Sequence, residues 1–420
     1  MKSALGALLG CALSGACFAT NLNIVDYGAT PDNYNDDDAI AINAAINAAR
    51  DGDVVIIPEG TFHIREMINL KSNVDLKGDG YAKSGIAALY EGEDADDLVI
   101  KGRNVTNINI SGLRLKSNYS GGVRALISIT HSSKITISDS SFHRFKKHGI
   151  YFNHTRDGNV KNSKFQDATD LSGGGHGYGV VYTNGCEGGR VDNSYFYGPN
   201  IRHGVVIQGD PQYGPSHGIV VKGNYFKETT QDAIDLHGSG EYNNQIMYNT
   251  IEGDPAKGGK GQGIGIGENA HKASGSGNVI RNNVIRNTLY GIRVMQGSPG
   301  AMIKNNEIYN CKEHGIYIEN GIGTEIRGNI IEGCQHWGVF VKDGNNTIIR
   351  KGKDENNEDT INQINGNGLS NSTTGFGGIR VKAGNTGVYV LDNDLCENDN
   401  YGGVNLSFEG QGTVKNNLCQ

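Results

Sequence analysis

A short triplet, Ser or Asn followed two positions later by an aromatic or aliphatic residue, recurs along the chain and strongly constrains its fold. It runs from Ser140-Ser-Phe142 to Asn416-Asn-Leu418, in steps of 23 to 34 residues. A repeat in the low twenties with insertions is typical of a β-solenoid, whose turns bury their apolar faces only by stacking. We expect the Ser and Asn side chains to form one column that hydrogen-bonds from turn to turn.

A second marker accompanies the repeat, a Gly followed by alternating apolar residues, as in Gly204-Val-Val-Ile207 and Gly291-Ile-Arg-Val294. Alternation with period two points the first and third residues after the Gly inward and the second and fourth outward. The same strand recurs one turn later, so the sheet must be parallel. The pattern predicts an all-β fold, a single-stranded parallel β-helix. Insertions at 166–178 and 254–262 precede two such strands, which favours a binding groove on that outward face.

Composition agrees with this fold and excludes some functions. The chain has 63 Gly in 420 residues and a hydrophobic fraction of 36%, which suits a narrow core with many tight turns and does not suit a membrane span. The net charge is −7 without a run of Lys or Arg, so neither nucleic acid nor membrane is an expected partner. The repeat continues to the C-terminus without a linker, which predicts one domain over 20–420, expected to act as a monomer.

The N-terminus predicts export. Met1-Lys2, an apolar stretch and a small-residue region ending at Ala19 are typical of a signal peptide over 1–19, and a lipoprotein box at Cys17 is the alternative. A secreted protein can form disulfides. Two cysteine pairs are spaced by 23 residues, which is one short turn, so each pair is either bridged or stacked as buried thiols: Cys311 with Cys334, and Cys396 with Cys419.

A segment near the N-terminus resembles a known family. Asp26-Tyr-Gly-Ala29, the acidic and then apolar stretch 36–49, and Ile57-Pro-Glu-Gly-Thr61 resemble the N-terminal cap of the pectate-lyase superfamily of right-handed β-helix proteins. The resemblance implies a right-handed helix with a capping α-helix at 37–49, which would cover the exposed end of the core. That superfamily includes lyases, hydrolases, epimerases and phage adhesins, so it implies a fold and leaves the chemistry open.

The segment Thr229–Gly238 is the candidate for chemistry. In the strand register Asp235 and His237 point outward, and Asp232 lies just before the strand. Turns stack about 4.8 Å apart, so polar residues of neighbouring turns should converge on them. This set contains Arg202, His203, Gln208, Gln262, Glu268 and Arg293, with Tyr317 and Lys342 further along the same face. A mixture of His and carboxylates flanked by Arg favours a functional site over a solvated surface.

The Asp-x-His strand resembles those of alginate-modifying β-helix enzymes. Mannuronan C5-epimerases have Tyr-Gly-Phe-Asp-Pro-His there, and this chain has Asp232-Ala-Ile-Asp-Leu-His237, so Asp235 and His237 carry over and Asp232 replaces the Tyr. Alginate lyases related to chondroitinase B have an Arg where this chain has His237, and a Lys in place of Gln208. The resemblance implies a lyase that cleaves an acidic polysaccharide, alginate above all, by β-elimination.

Elimination requires a base for the C5 proton, an acid for the leaving oxygen and a partner for the uronate carboxylate. We predict His237 as the base, His203 as the second candidate, Tyr182 or Tyr178 as the acid, and Arg202 or Arg293 at the carboxylate. Asp235 is a further catalytic candidate, and Lys222 is a candidate amine beside the Asn column. No cofactor is expected, and a calcium ion is left open among a set of carboxylates: Asp210, Asp232, Asp235 and Glu268.

Three alternatives remain at this point. A C5-epimerase shares the first step with a lyase. A hydrolase of the polygalacturonase type resembles the chain in the order of its strands, but its Asn-Thr-Asp and Asp-Asp motifs are replaced here by His203 and by Gln231-Asp232. A carbohydrate-binding solenoid without catalysis would use aromatic platforms and would leave the His and Asp residues without a purpose.

Overall fold

The Gly-marked strands stack in register, and they form a right-handed parallel β-helix with three sheets along its sides. The computed structural model describes residues 19–169, 175–198, 200–210, 212–254, 261–267, 272–370, 375–398 and 403–419. Each turn passes through sheet 1, then sheet 2, then sheet 3, and every pairing within these sheets is parallel. The predicted fold is confirmed. The predicted signal peptide lies outside the described residues except for Ala19.

Sheets 1 and 2 form two sides of the helix. In the described chain sheet 1 has 15 strands: Asn21–Asn23, Val54–Ile57, Asp75–Gly78, Thr106–Ser111, Ser133–Ser138, Arg156–Lys161, Arg190–Asp192, Val220–Lys222, Gln245–Met247, Val279–Arg281, Met302–Lys304, Glu325–Arg327, Ile348–Arg350, Val388–Leu391 and Gly412–Lys415. Sheet 2 has 12 there: Gly60–Ile64, Ser84–Ala88, Arg114–Ser117, Ser141–His143, Lys164–Gln166, Tyr195–Tyr197, Tyr225–Lys227, Thr250–Glu252, Val284–Arg286, Glu307–Tyr309, Ile330–Glu332 and Gln363–Asn365.

Sheet 3 contains the Gly-marked strands. Over the described ranges it has 13 strands: Ile68–Asn69, Leu98–Arg103, Val123–Thr130, Phe145–Asn153, Tyr178–Thr183, His203–Ile207, Ile234–Leu236, Ile264–Ile266, Ile292–Met295, Ile316–Glu319, Val339–Val341, Gly377–Val381 and Val404–Phe408. A two-stranded antiparallel hairpin, Gly352–Lys353 with Asp359–Thr360, projects from sheet 1. A 3-10 helix spans Ile24–Tyr27.

The predicted cap is present as the α-helix Asp38–Ala48. It begins at Asp37, whose side chain accepts a hydrogen bond from the backbone N–H of Ala39 at 3.2 Å, the usual role of an Asp at this position. Ile42 and Ile46 are buried against the first strands of the solenoid. The helix therefore covers apolar core that an open end would expose to water.

The Ser and Asn column is also confirmed, at the corner between sheets 1 and 2. The Asn306 amide donates to Oδ1 of Asn329 at 3.0 Å, and Oδ1 of Asn306 accepts from the backbone N–H and the amide of Asn283 at 3.0 and 2.9 Å. The column departs from the prediction in the last turn, where Asn417 takes the place predicted for Asn416. Asn416 has a positive φ of 57°, as Asp392 does before Asn393, and the preceding strand Gly412–Lys415 already pairs with Val388–Leu391 at an offset of 24 residues.

The core is a stack of identical positions. Phe142, Phe165, Phe196 and Phe226 follow each other on successive turns of sheet 2, with ring centroids 4.7 Å apart at each step. All four rings are fully buried. Large buried aromatic rings contribute strongly to the hydrophobic stabilisation of each turn.

One of the two expected cysteine bridges forms. Cys396 and Cys419 are joined by a disulfide, with their Cα atoms 5.0 Å apart. For Cys311 and Cys334 the other alternative holds, because both are free, buried thiols that stack in the core. Their column consists of polar groups that hydrogen-bond from turn to turn: Thr288 precedes Cys311, and the amide oxygen of Asn367 accepts from the backbone N–H of Cys334 at 3.0 Å.

Candidate active site

The outward face of sheet 3 contains a cleft of about 750 Å³ near the middle of the chain. One outward column there runs Val206, Asp235, Gly265 and Arg293 on successive strands. A Cβ atom at Gly265 would lie 2.4 Å from Oδ2 of Asp232, so only glycine leaves room for that carboxyl group. The cleft is lined by His148, Gly175, Tyr178, Arg202, His203, Gln208, Gln231, Asp232, Asp235, His237, Gln262, Gly267, Leu289, Tyr290, Arg293 and Met295.

An Asp–His pair lies at the centre of this cleft. Nδ1 of His237 is 2.7 Å from Oδ2 of Asp235, and Nδ1 of His203 is 3.8 Å from the same oxygen. The carboxylate is 3% exposed, whereas 29% of the His237 side chain is exposed. An ionised Asp235 can only accept, so the His237 proton is held on Nδ1 and Nε2 keeps its lone pair. The sequence correctly placed Asp235 and His237 together on one outward strand.

Asp232 lies beside this pair and is buried. Burial and the neighbouring Asp235 raise the pKa of Asp232 well above the ordinary range of an aspartic acid. The Gln262 amide donates to Oδ2 of Asp232 at 3.1 Å. Asp232 therefore favours its protonated form and has a proton to donate, while Asp235 is oriented to accept one.

His203 is a buried, neutral imidazole. Burial lowers its pKa to about 4, and the edge of its ring meets Tyr178 with centroids 4.8 Å apart. A neutral ring at 5% exposure fills the wall of the cleft and keeps water from Asp235. The structure thus brings His203 to the site, as predicted.

Tyr182 is a correction to the predicted site. It lies in the core at 1% exposure, and its hydroxyl contacts the carbonyl oxygens of Gly158 and Arg190 at 2.8 and 2.9 Å. The reason is the strand alternation itself, which turns the third residue after Gly179 inward. Tyr182 cannot serve as the acid, whereas Tyr178, on the same strand, lines the cleft.

Two other predicted residues do not join the site. Lys222 ends a strand of sheet 1, on another side of the helix, and its Nζ lies 5.5 Å from the centroid of the Tyr248 ring. Lys222 is therefore wrong as a residue of this cleft. Glu268 lies outside the described residues.

The basic residues predicted on the flank meet at the C-terminal edge of the cleft. Arg293 hydrogen-bonds to Glu319, which Lys342 also contacts at 3.1 Å. The Arg293 guanidinium lies 5.3 Å from the Tyr290 ring and 5.5 Å from the Tyr317 ring, within the range of cation–π attraction. Tyr317 and Lys342 do not line the cleft themselves. Tyr317 contacts Arg293, and Lys342 contacts Glu319 beside it. Arg202 and Gln208 line it directly.

The sequence interpretation missed His148 and Tyr290, although a signal for them exists. The residue just before each Gly marker forms a second outward column, in which His148, Tyr178 and His203 pair on successive strands. Tyr290 precedes Gly291 and occupies the equivalent position. Comparing the residue just before each Gly marker from turn to turn would have predicted that His148 and Tyr290 line the cleft.

Glu241 is a further residue that positions the site from within. Its side chain is fully buried, and three backbone N–H groups donate to it: Gly209 at 2.9 Å, Ser239 at 2.7 Å and Gly238 at 3.1 Å. Gly209 follows Gln208, and Gly238 follows His237. The Glu241 carboxylate therefore holds the backbone just after two strands of sheet 3, next to Gln208 and His237.

Glu241→Gln should lower kcat by roughly tenfold and stability by about 2 kcal/mol, because the new amide NH₂ faces backbone donors and leaves them unsatisfied. The measurement is steady-state kinetics with thermal unfolding, at a temperature where both proteins are folded. The exposed Glu59→Gln is the matched control. An unchanged kcat in a destabilised but folded Glu241→Gln protein would contradict the positioning role.

Calcium does not fit the described part of this site. Donor atoms of His203, Asp232 and Asp235 lie within 4.8 Å of one another. Calcium takes six to eight oxygen ligands, and this group offers two carboxyl side chains and one imidazole. Asp210, the other described carboxylate of the predicted set, does not belong to the group.

A parallel β-helix with ionisable residues in a cleft on its outer face defines the pectate-lyase-like class of proteins. The chain belongs to the family described as rhamnogalacturonase A/epimerase, pectate lyase-like, whose model matches residues 21–253. A right-handed beta helix region matches residues 260–395. No match was found among curated proteins.

Solved structures share this fold at low sequence identity. The catalytic unit of an α-1,3-glucanase from Streptomyces thermodiastaticus is 14% identical, with a TM-score of 0.66 over 94% of this chain and 68% of that one. The A-module of a mannuronan C-5 epimerase from Azotobacter vinelandii is 15% identical, with a TM-score of 0.60 over 95% and 98%. An alginate lyase from Paenibacillus is 14% identical, with a TM-score of 0.51 over 74% and 94%. The fold is therefore one that carbohydrate-active enzymes share.

No helix among the described residues is long and apolar enough to cross a membrane.

Proposed function

We propose that the protein is a secreted lyase that cleaves an acidic polysaccharide, alginate in the first place, by β-elimination. The observation that carries the proposal is the His237–Asp235 pair, 2.7 Å apart, at the centre of the outward cleft. A carboxylate that holds the proton of a neutral, partly exposed imidazole on Nδ1 leaves Nε2 able to accept a proton from substrate. A polyuronate offers such a base the weakly acidic proton at C5, next to a carboxylate.

The described residues can fill each role that elimination requires. Nε2 of His237 takes the C5 proton, the electrons of the C5–H bond form the C4–C5 double bond, and the C4–O bond breaks. Asp232, protonated because of its raised pKa, gives its proton to the leaving oxygen. Arg202 and Arg293 line the cleft and stabilise the charge that develops on the uronate carboxylate.

The charge of the cleft favours an anionic substrate although the chain as a whole is negative. Arg202, Arg293 and Lys342 are positive, and Asp235 and Glu319 are negative, which gives a net charge of +1 when Asp232 is protonated. A local positive potential of this kind attracts an anionic sugar and weakens as salt is added. The proposal is also in keeping with the fold shared with an alginate lyase and a mannuronan C-5 epimerase.

Hydrolysis is the second candidate, because one observation favours it. Asp232 and Asp235 are neighbouring carboxyl groups whose environments differ, the arrangement that separates an acid from a base or nucleophile in glycosidases. Their donor atoms lie within 4.8 Å, whereas inverting enzymes need roughly 6.5–9.5 Å for a water between the two groups. The glucanase with the same fold is consistent with this candidate.

One experiment separates these reactions. The secreted protein is incubated with alginate, pectate and a glycosaminoglycan, and with a neutral glucan, while ultraviolet absorbance and reducing ends are followed. Elimination predicts that absorbance from the unsaturated uronate rises together with reducing ends on a polyuronate. Reducing ends without absorbance would establish hydrolysis, and altered C5 proton signals without either product would establish epimerisation. His237→Ala, purified in the same way, controls for contaminating activity.

A further inference from the structure

A line of basic side chains lies on sheet 1, outside the cleft. Its members occupy one outward register position: Lys161 pairs with Asp192, Asp192 with Lys222, and the position continues through Met247 to Arg281. Over the next turns Arg281, Lys304, Arg327 and Arg350 follow one another on four successive strands. We call the six cations the basic column: Lys161, Lys222, Arg281, Lys304, Arg327 and Arg350.

The basic column is not neutralised by its surroundings. Arg281 contacts Glu355 at 3.1 Å, and Arg327 contacts Glu325. Lys304 and Arg350, which alternate with them, have no carboxylate within 4 Å among the described residues. Asp192 is held in a bidentate pair by Arg190, at 2.9 and 3.1 Å. Counting Arg190 and residues 351–360 of the hairpin that packs beside the column, nine cations face six carboxylates, a net charge of +3 on a chain of net charge −7.

Like charges directly opposite each other on neighbouring strands destabilise a sheet. The chain places four cations in succession about 4.8 Å apart, so an anionic partner bound along them would relieve their repulsion. The partner must be linear, because the column is straight, and must carry one charge at each short repeat. An acidic polysaccharide chain has this form.

The side chains beside the basic column add to this complementarity. The neighbouring outward position of the same strands is mainly apolar and half-buried, with Val220, Val279, Met302 and Ile348. Lys222 and Arg281 also lie within 5.5 and 5.3 Å of the Tyr248 ring centroid. Sugar rings present apolar faces between their polar groups, so adjacent apolar and basic columns suit a polyuronate better than a free phosphate.

We propose that the basic column is a second binding surface for a polyuronate chain, separate from the cleft, which retains polymer beside the enzyme between cleavage events. The inference rests on the proposed substrate class and on a different face of the solenoid. It also gives Lys222, which the sequence predicted as a substrate-binding amine beside the Asn column, a place on a binding surface.

The test uses Lys304→Gln/Arg350→Gln, which removes two of the column's cations that have no carboxylate within 4 Å among the described residues. The matched control is Arg65→Gln/Lys83→Gln, two exposed positions outside sheet 1 that also change the net charge from −7 to −9. Binding to immobilised alginate is measured at low ionic strength with His237→Ala in every protein, so that no polymer is cleaved. Turnover of a short oligouronate is measured separately with His237 intact.

The column variant should bind the polymer roughly three- to tenfold more weakly than the control, since exposed ion pairs are each worth little but add along a chain, with kcat on the short oligouronate unchanged. Equal polymer binding by the two variants would overturn the inference. A wild-type dimer that becomes monomeric in the column variant, seen by light scattering, would also overturn it. Polymer binding that depends on the column, without turnover of any polyuronate, would sustain the inference and reject the proposed function.

Discussion

Replacing His237 with Ala should lower kcat on the cleaved polyuronate by about a hundredfold or more, because a base that transfers a proton typically contributes that much. The imidazole is aligned by Asp235 at 2.7 Å and partly exposed to the cleft, so little packing is lost with it. The measurement is the initial rate of absorbance at saturating substrate. Thermal unfolding of the same protein should change little.

The matched control for this variant is His131→Ala, which removes an exposed imidazole whose neighbour is His154 at 5.0 Å. It should keep the wild-type rate. A His237→Ala protein that retains most of its activity would place the base elsewhere, and His203 would be the next residue to replace. A large loss of stability in His237→Ala would mean that the ring supports the fold rather than the reaction.

Asn306→Ala should cost about 3 kcal/mol of unfolding free energy, because it leaves several buried polar groups without partners at once. The Asn306 amide donates to Asn329 and to the carbonyl oxygen of Ile280, at 3.0 and 3.1 Å. Its oxygen accepts two bonds from Asn283. None of these groups can reach water, since the column is fully buried there.

Denaturant unfolding followed by circular dichroism measures this loss, with Asn47→Ala on the exposed face of the capping helix as the matched control. In a solenoid each turn is supported mainly by its neighbours. The damage should therefore begin at the turns around Asn306, which hydrogen exchange would detect as early local opening. Equal stabilities of Asn306→Ala and Asn47→Ala would show that the column contributes little.

Much of the fold could be predicted because a solenoid repeats one local rule. The markers predict which side chains face outward, with Ala233 in place of the Gly on this strand, so the sequence places Asp235 and His237 correctly. The same rule points Tyr182 inward. Its prediction as an acid rested on the chemistry of its hydroxyl and not on the alternation of the strand, and it is wrong. The prediction for the last turn is wrong for a different reason. Asn416 and Asn417 are chemically identical, and only the geometry of the turn decides which of them joins the column.

Contacts between turns were harder to predict than positions within a turn. Equal spacing of 23 residues predicted that both cysteine pairs are in register. In the last turn, however, Asp394 pairs with Leu418, an offset of 24 residues, so Cys396 and Cys419 are bridged one residue out of register, while Cys311 and Cys334 stay in register as free thiols. The ion pair of Arg293 with Glu319 depends on side-chain conformations that a repeat pattern does not contain.

The residue before each Gly marker makes the cleft a modular surface. His148, Tyr178 and His203 come from consecutive turns, and the backbone of each turn is held by its own core and by the Ser and Asn column rather than by these side chains. A protein built this way could change the preference of its cleft through substitutions at one position per turn, while the strand that carries Asp235 stays the same.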